Sequence, residues 1–347
     1  MLWLKAEHKK QTTTALEAAA TLTKPPLNLF SRFSPLKVRL EHRELASSYS
    51  AYVSPVGSDP GPVGSPAAGD GLGIDVHHLV FSYDPTAVSK ETQQPFRYLE
   101  GQSVSFVNLR DTRNKQTETP VSVSKPRLYS VASSPLAPDE GLPHSFSLCV
   151  KRHRYRDVNG QGDPSKDGLC SSLLCSAPIG TEFEVGGPVG ASLLLPQDRD
   201  VPLVFACTGT GVAPLRSFLR RIVAEGRPGP VLAYVGAATA ASLPYAREWA
   251  ALQKLLPPSL LRLQFALSRE AQAPDGGRLY VQHLMERDGD MLLQLLHEGA
   301  FVYICGRKDM LPPIKAALQA AAARNNLDSA AFFKSLIAAK RWRAEVY

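Results

Sequence analysis

The chain has 347 residues, 44% of them hydrophobic, enough for two cores at about 150 residues per domain. Its formal charge of +7 favours an acidic protein, a nucleic acid or an anionic surface as partner, but no Lys/Arg run is interleaved with stacking aromatics, which sets nucleic acid aside. Five scattered cysteines (Cys149, Cys170, Cys175, Cys207 and Cys305) include no CxxC pair, which argues against a disulfide scaffold or a structural metal and for a reducing compartment.

The opening MLWLKAEHKKQTTTALEAAATLTK lacks the continuous apolar segment of a secretory signal. It reads as a targeting remnant or, more simply, as the main part of a disordered arm over 1–28. No apolar run approaches the roughly 20 residues that span a bilayer. From 29 to 197, short β-type runs are broken by turns: Leu36–Leu40, His78–Tyr83, Ser103–Asn108, Leu128–Ala132, Phe146–Arg152 and Glu182–Val185. Their spacing predicts an antiparallel β-barrel or sandwich. Within it, 54–75 is rich in Gly, Pro, Ser and Ala and reads as a mobile insertion. Polar stretches at Asp84–Phe96 and Asp111–Lys125 read as exposed.

From 198 the pattern changes. Val201–Cys207, Val231–Val235, Leu263–Leu267 and Phe301–Cys305 read as buried parallel strands, alternating with helices over Pro214–Ala224, Pro244–Leu255, Val281–Leu296 and Ile314–Ala323. The fold class is therefore two-domain: a β-barrel followed by an α/β doubly wound parallel sheet.

Chemistry-bearing patterns sit at the ends of these elements. In RLYSVASS, Arg127–Ser134, a strand puts Arg127 and Tyr129 on one face and Leu128 and Ser130 on the other. Arg offers a forked phosphate donor, Tyr a flat ring and Ser a small hydrogen-bonding tip, the services a flavin dinucleotide requires. An ordinary strand with a buried Tyr would use the same letters. In DGLCSSLL, Asp167–Leu174, Gly168 opens a helix whose free N–H groups attract phosphate, unless Ser171 and Ser172 simply cap it. CTGTGVAPLRS, Cys207–Ser217, places Gly209 and Gly211 at the carboxyl end of a buried strand, where open α/β sheets bind ligands. ALSRE and GGRLYVQ bring Ser268, Arg269, Arg278, Tyr280 and Gln282 to the same edge, a set suited to the 2′-phosphate that separates NADPH from NADH. Solvated charged loops are the plainer alternative. CGRKDM ends another strand with Cys305 and Gly306, and RWRAEVY reads as a docked terminal strand with Tyr347 as an aromatic lid.

Taken in order from about Pro25 to Tyr347, RLYS, SLCVKR, GLCS, GTGVAP, LSRE, CG and the terminal EVY resemble plant-type ferredoxin–NADP reductases, with DPSKDGLCS, GTGVAPLRSFLRR and FALSRE similar to the root-type branch. The resemblance implies FAD as cofactor and NADP(H) as substrate. Tyr129 and Tyr347 would cover opposite faces of the isoalloxazine, and Ser130 would bond near its reactive nitrogen. Arg127 and the Gly168, Leu169, Cys170, Ser171 turn would hold the pyrophosphate, and Tyr155 would stack on adenine with Cys149 and Lys151 nearby. Thr208, Gly209, Val235 and Gly236 would line the NADPH groove, with Cys305 and Gly306 at the nicotinamide and Glu345 tuning charge and proton movement.

It further implies ferredoxin, an acidic [2Fe–2S] protein, docking over the flavin edge on Lys125, Arg152, Arg154, Lys340, Arg341 and Arg343, with electrons running mainly from NADPH to ferredoxin in a plastid stroma or plastid-derived organelle. Departures are Arg278 where Lys is common, CGRKDM for CGLKGM, and Ser172 for a frequent Asn. A flavodoxin or cytochrome b5 reductase is the neighbouring alternative; the terminal EVY and the phosphate-reading residues favour NADPH and ferredoxin. A diflavin reductase is excluded because the chain is too short for an FMN domain. A catalytically silent nucleotide-bound protein would lack Ser130, Cys305 or Glu345, and all are present.

Overall fold

The computed structural model describes residues 25–47, 75–111, 121–122 and 125–347. The arm up to residue 24, residues 54–74 of the inserted segment and most of the polar 111–125 stretch lie outside the described residues. The last part of the expected arm is held in place: the Asn28 N–H donates to Pro188 O at 2.8 Å, and Gln102 Nε2 donates to Pro26 O at 2.7 Å.

The first half forms β1 (Leu36–Leu45), β2 (Val76–Tyr83), β3 (Ser103–Val107), β4 (Arg110–Asp111), β5 (Val121–Ser122), β6 (Arg127–Ser130), β7 (Ser145–Lys151), α1 (Leu169–Ser176) and β8 (Glu182–Val189). In β1, Leu36, Val38 and Leu40 are buried while Lys37 and Arg39 are exposed, the period-two pattern of a strand with one wet face. The main sheet runs β6-β3-β8-β1-β2-β7 with antiparallel neighbours. An antiparallel bridge between Val131 and Leu148 ties the β6 end to the β7 end and curls the sheet into a barrel-like form. Leu40, Leu79, Phe81, Phe106 and Phe146 fill its interior, and α1 adds Cys170, Leu174 and Cys175 to the same core.

The second half runs β9 (Leu203–Thr208), α2 (Val212–Glu225), β10 (Val231–Ala237), α3 (Ala246–Leu255), β11 (Leu261–Leu267), α4 (Val281–Arg287), α5 (Gly289–His297), β12 (Phe301–Gly306), α6 (Leu311–Arg324), α7 (Ser329–Ala338) and β13 (Trp342–Val346). Its sheet is parallel in the order β11-β10-β9-β12-β13. Leu203, Phe205 and Cys207 of β9 face one core with α2 and α3. Val204 and Ala206 face the other, with α4, α5 and α6. Both faces are covered, which is why β9 reads as a continuous apolar run. The order reverses between β9 and β12, and a crevice opens there at the carboxyl ends of the strands.

Two elements depart from expectation. The helix expected over Val281–Leu296 breaks at Asp288, whose carboxylate accepts from Tyr234 Oη at 3.0 Å and from Arg287 Nε at 3.0 Å. Gly289 follows because a Cβ there would sit 2.8 Å from Ala321 Cβ. The unexpected α7 is capped by Asp328, which accepts from the Ala330 and Ala331 N–H groups at 3.0 and 3.1 Å.

A buried polar network ties the two sheets together. Arg216 of α2 is 0% exposed. Its Nη1 and Nη2 donate to Asp139 at 2.9 and 2.8 Å, its Nε donates to Glu248 at 3.0 Å, and Nη1 also reaches Ala132 O at 2.9 Å. The Tyr245 ring lies 4.7 Å beneath the guanidinium, and the Tyr245 hydroxyl pairs with His78 Nδ1 at 3.0 Å.

Candidate functional site

The barrel side carries a pocket of about 430 Å³, lined by Arg127, Tyr129, Lys151, His153, Gly168, Leu169, Cys170 and Ser171. That volume suits a cofactor fragment. β6 delivers Arg127 and Tyr129 from one face, as alternation requires, and leaves Leu128 62% exposed on the other. The Tyr129 ring meets Phe106 edge-on at 5.8 Å, and burial raises its hydroxyl well above the usual range. Gly168 closes the pocket floor. A Cβ there would lie 2.8 Å from Ser171 Oγ and 2.9 Å from His153 Cβ, so only glycine lets the first turn of α1 stay this close. The Ser171 hydroxyl accepts from the His153 N–H at 3.1 Å, pinning that turn to the chain after β7. The first-turn N–H groups of α1 have no partner within the helix and form a donor cradle beside two cations.

Cys149 and Tyr155 fall outside this lining. Cys149 is buried, and burial pushes its thiol up to about 12; it belongs to the core between the sheets and not to the pocket wall. Tyr155 lies further along the rim, with Lys166 Nζ 5.0 Å from its ring centre and its N–H donating to Asp167 at 2.7 Å.

The parallel sheet contributes the switch-point crevice. Gly209, at φ 57°, turns the chain out of β9 in the left-handed region. Gly306, at φ 144°, ends β12 where a Cβ would collide with Thr208 Oγ1. Gly236 is tight as well, its would-be Cβ 2.8 Å from Thr208 Cγ2. These glycines clear the crevice. Val235 does not line it with a side chain, because strand alternation turns that residue into the core, where it is fully buried.

The two halves meet at β13. Pairing sets Cys305 opposite Cys207 on one side and Glu345 on the other. Cys305 is 7% exposed, so it forms part of the floor, not a free tip in the cleft. Burial, with the Glu345 carboxylate beside it, pushes its thiol up to about 12. Glu345 itself is raised by burial, opposed by a hydrogen bond donated by Ser192 Oγ, which follows β8 of the barrel side. Ser130 faces the same sheet neighbourhood, 3.5 Å from Ser103 Oγ. Tyr347 is clamped through its backbone: its N–H donates to Gly306 O at 3.0 Å, and its carbonyl accepts from Lys308 at 3.0 Å. Its hydroxyl pairs with Thr210 Oγ1 at 2.7 Å, while the residue remains 67% exposed.

At the outer rim, Arg269, Arg278 and Tyr280 are exposed and Ser268 and Gln282 half-buried. Ser268 Oγ leans on Ala237 O at 3.4 Å, joining its loop to the end of β10. Of the expected docking cations, Lys125 and Lys340 are exposed, Arg152 is half-buried, and Arg154 pairs with Asp75 at 2.7 Å. Arg341 and Arg343 have their guanidinium donors engaged by the chain itself. Arg341 Nη1 donates to Leu296 O at 2.7 Å, and Arg343 donates to Lys340 O at 2.9 Å with its guanidinium 4.7 Å over Phe301. Both hold β13 in place and are half-buried. Sequence reasoning missed Arg216, although its place on the apolar stripe Val212, Leu215, Leu219, Ile222 marks it as inward-facing.

A barrel-like antiparallel sheet with a phosphate-sized donor cradle, joined to a parallel sheet with a glycine-lined switch point, defines a nucleotide-dependent oxidoreductase architecture, and residues 205–316 match the oxidoreductase NAD-binding domain family. The chloroplastic ferredoxin–NADP reductase of Chlamydomonas reinhardtii is 39% identical over 264 residues, covering 74% of this chain and 73% of that one. Root isozyme 1 of Arabidopsis thaliana is 37% identical, covering 72% and 66%. The chain belongs to the ferredoxin–NADP reductase family. Its fold matches the solved ferredoxin–NADP+ reductase of Plasmodium falciparum with 2′P-AMP at a TM-score of 0.61, 22% identity and coverage of 92% and 99%. No helix among the described residues is long and apolar enough to cross a membrane.

Proposed function

We propose that this chain exchanges electrons between NADPH and ferredoxin through bound FAD, working mainly from NADPH towards ferredoxin. The observation that carries this reading is the seam at β13: Cys305, Glu345 and Tyr347 lie together on neighbouring strand ends, and Glu345 reaches Ser192 on the barrel side. FAD, when bound, supplies the chemistry that couples a two-electron hydride donor to a one-electron acceptor.

The residues present fit that cofactor. Arg127, Lys151 and the α1 first turn bind its pyrophosphate, in a cradle that a Cβ at Gly168 would fill. Tyr129 and Tyr347 would supply aromatic surface to its ring system, and Ser130 would offer it a hydrogen bond. Thr208, Gly209, Gly236 and Gly306 accommodate the NADPH backbone, while Ser268, Arg269, Arg278 and Tyr280 receive the 2′-phosphate. Glu345, whose carboxyl burial shifts upward from the ordinary carboxylate range, is oriented by Ser192 to take up or release a proton there. Tyr347 excludes water from the nicotinamide site until coenzyme displaces it. Residues 29–197 form the FAD domain and 198–347 the NADP(H) domain. Ferredoxin docks on a face that includes Lys125, Arg152, Arg154 and Lys340. Chloroplastic relatives support a plastid or plastid-derived setting.

The purified protein should carry a flavin absorption spectrum and release FAD on denaturation. NADPH-driven cytochrome c reduction should rise when ferredoxin is added. A colourless protein that takes up no FAD would overturn the reading; stimulation by flavodoxin alone would reassign the partner.

A further inference from the structure

Arg307 is not among the phosphate-reading residues of the site, yet it occupies a singular place. Gly306 can end β12 only as glycine, because a side chain there would strike Thr208 Oγ1. The backbone then passes directly over the crevice, with the Arg307 N–H 3.4 Å from Thr208 Oγ1. The residues on both sides of it, Gly306 and Lys308, are hydrogen-bonded to the backbone of Tyr347. Arg307 therefore starts beside the aromatic lid at one end of the crevice. Its side chain is 75% exposed, and the guanidinium lies within electrostatic reach of both Tyr347 and Tyr280. Tyr280 belongs to the rim assigned to the 2′-phosphate. A dinucleotide laid along the crevice from the lid to that rim would carry its pyrophosphate past the loop that Arg307 opens.

The guanidinium is already engaged by an anion. Asp309 accepts from Arg307 Nη2 at 2.7 Å and from Nε at 3.1 and 3.2 Å, a forked arrangement that a phosphate can reproduce. Asp309 is 65% exposed. An exposed pair of this kind is weak and easily exchanged. A pyrophosphate carries more charge and needs the same fork.

Resting on the NADPH reading above, we propose that Arg307 is a coenzyme pyrophosphate clamp and that Asp309 is its exchangeable counter-ion, holding the guanidinium in the crevice until coenzyme displaces it. Arg307 thus reads what NADPH and NADH share, whereas Arg269 and Arg278 read what separates them. The aspartate sets a threshold: it competes with coenzyme for the same donors and keeps the clamp ordered between turnovers.

Equilibrium titration of the full-length holoprotein with NADP+, NAD+ and adenosine 2′-monophosphate tests this. Arg307→Ala should weaken NADP+ and NAD+ by a similar factor, about tenfold, and leave adenosine 2′-monophosphate unchanged. Asp309→Asn should tighten both dinucleotides severalfold. Arg278→Ala is the control for the underlying reading: it should weaken NADP+ and adenosine 2′-monophosphate but not NAD+. If Arg278→Ala behaves so while Arg307→Ala changes no ligand, the clamp is wrong and the pair is a surface ion pair. If Arg307→Ala weakens NADP+ alone, Arg307 is another 2′-phosphate reader and the proposal fails. If wild-type protein binds neither dinucleotide, the NADPH reading itself falls. Both residues are exposed, so an unchanged melting temperature in each variant removes misfolding as an explanation.

Discussion

The arginine between the two sheets and the arginines around the crevice are opposite uses of one side chain. Arg216 has no exposure and is ringed by Asp139, Glu248, Ala132 O and the Tyr245 ring. Arg269, Arg278 and Arg307 stand in solvent at the strand ends. A buried guanidinium is tolerable only when its donors are met, so Arg216 can hold architecture but has nothing to offer a ligand. An exposed one contributes little to stability and keeps its donors available. Burial, not residue type, decides which arginines build this molecule and which stay open to a ligand.

Breaking the buried member should have the largest effect. Arg216→Met takes the forked guanidinium away from the buried Asp139 and Glu248 carboxylates and leaves Asp139 with Arg220 at 3.3 Å, a loss of roughly 3–5 kcal/mol of unfolding free energy. Arg216→Lys should recover only part of it, because one ammonium cannot reproduce the fork that grips both Asp139 oxygens. Denaturant unfolding followed by tryptophan fluorescence measures this, and a loss below about 1 kcal/mol would place the tie between the sheets elsewhere.

Next in size is the lid. Tyr347→Ser removes a ring that is held by its backbone and one hydroxyl contact, not by surrounding packing. Nicotinamide coenzyme should then bind about tenfold more tightly, with discrimination against NADH reduced. Unchanged affinity for both coenzymes would remove Tyr347 from the stacking position. Glu345→Gln, on the same strand, should abolish whichever limb of the activity–pH profile lies above the ordinary carboxylate range, since burial raises that group.

The buried network should also betray itself through pH. Burial depresses His78 well below its ordinary value of 6.5. A folded state that resists protonation is fully favoured above about pH 6.5 and loses stability as pH falls below it, by up to ~1.4 kcal/mol per unit. His42, raised mainly by Glu44, whose carboxylate lies 3.6 Å from its Nε2, acts in the opposite sense: its stabilisation is complete below about pH 6.5 and fades as pH rises through its folded value. His78→Gln should flatten the acid-side decline and leave the His42 contribution.

Which parts were legible in the sequence follows the same division. Strands and glycine turns were readable because alternation, positive φ and strand-end position are local properties. RLYS declared which face Arg127 and Tyr129 would share, and the structure puts both on the pocket. The Arg216 tie was not readable in that way, because Asp139 lies 77 residues from its partner and PLRSFLRR resembles a solvated basic face. The break at Asp288 was hidden for a similar reason: its carboxylate is held by Tyr234 of β10 and Gln264 of β11, far away in the sequence. Arg341 and Arg343 read as free cations because nothing local signals that backbone carbonyls of Leu296 and Lys340 will take their donors.

The smallest expected effect sharpens the comparison at its exposed end. Arg154 is 56% exposed and pairs with Asp75, so Arg154→Ala should change stability by no more than ~1 kcal/mol. If the residue serves docking, its contribution appears in rate instead. Ferredoxin association should slow at low ionic strength, and the wild-type advantage should vanish as the Debye length shrinks from about 10 Å at 0.1 M salt to about 3 Å at 1 M. Arg341→Ala provides the contrast. Its guanidinium anchors β13, so the substitution should lower the melting temperature and leave the salt dependence of association intact. Stopped-flow association across a salt series, paired with thermal melts of both variants, separates a cation that meets a partner from one that only holds a strand. An Arg341 variant that behaved like Arg154 would show that exposure is a poor guide to function on this surface.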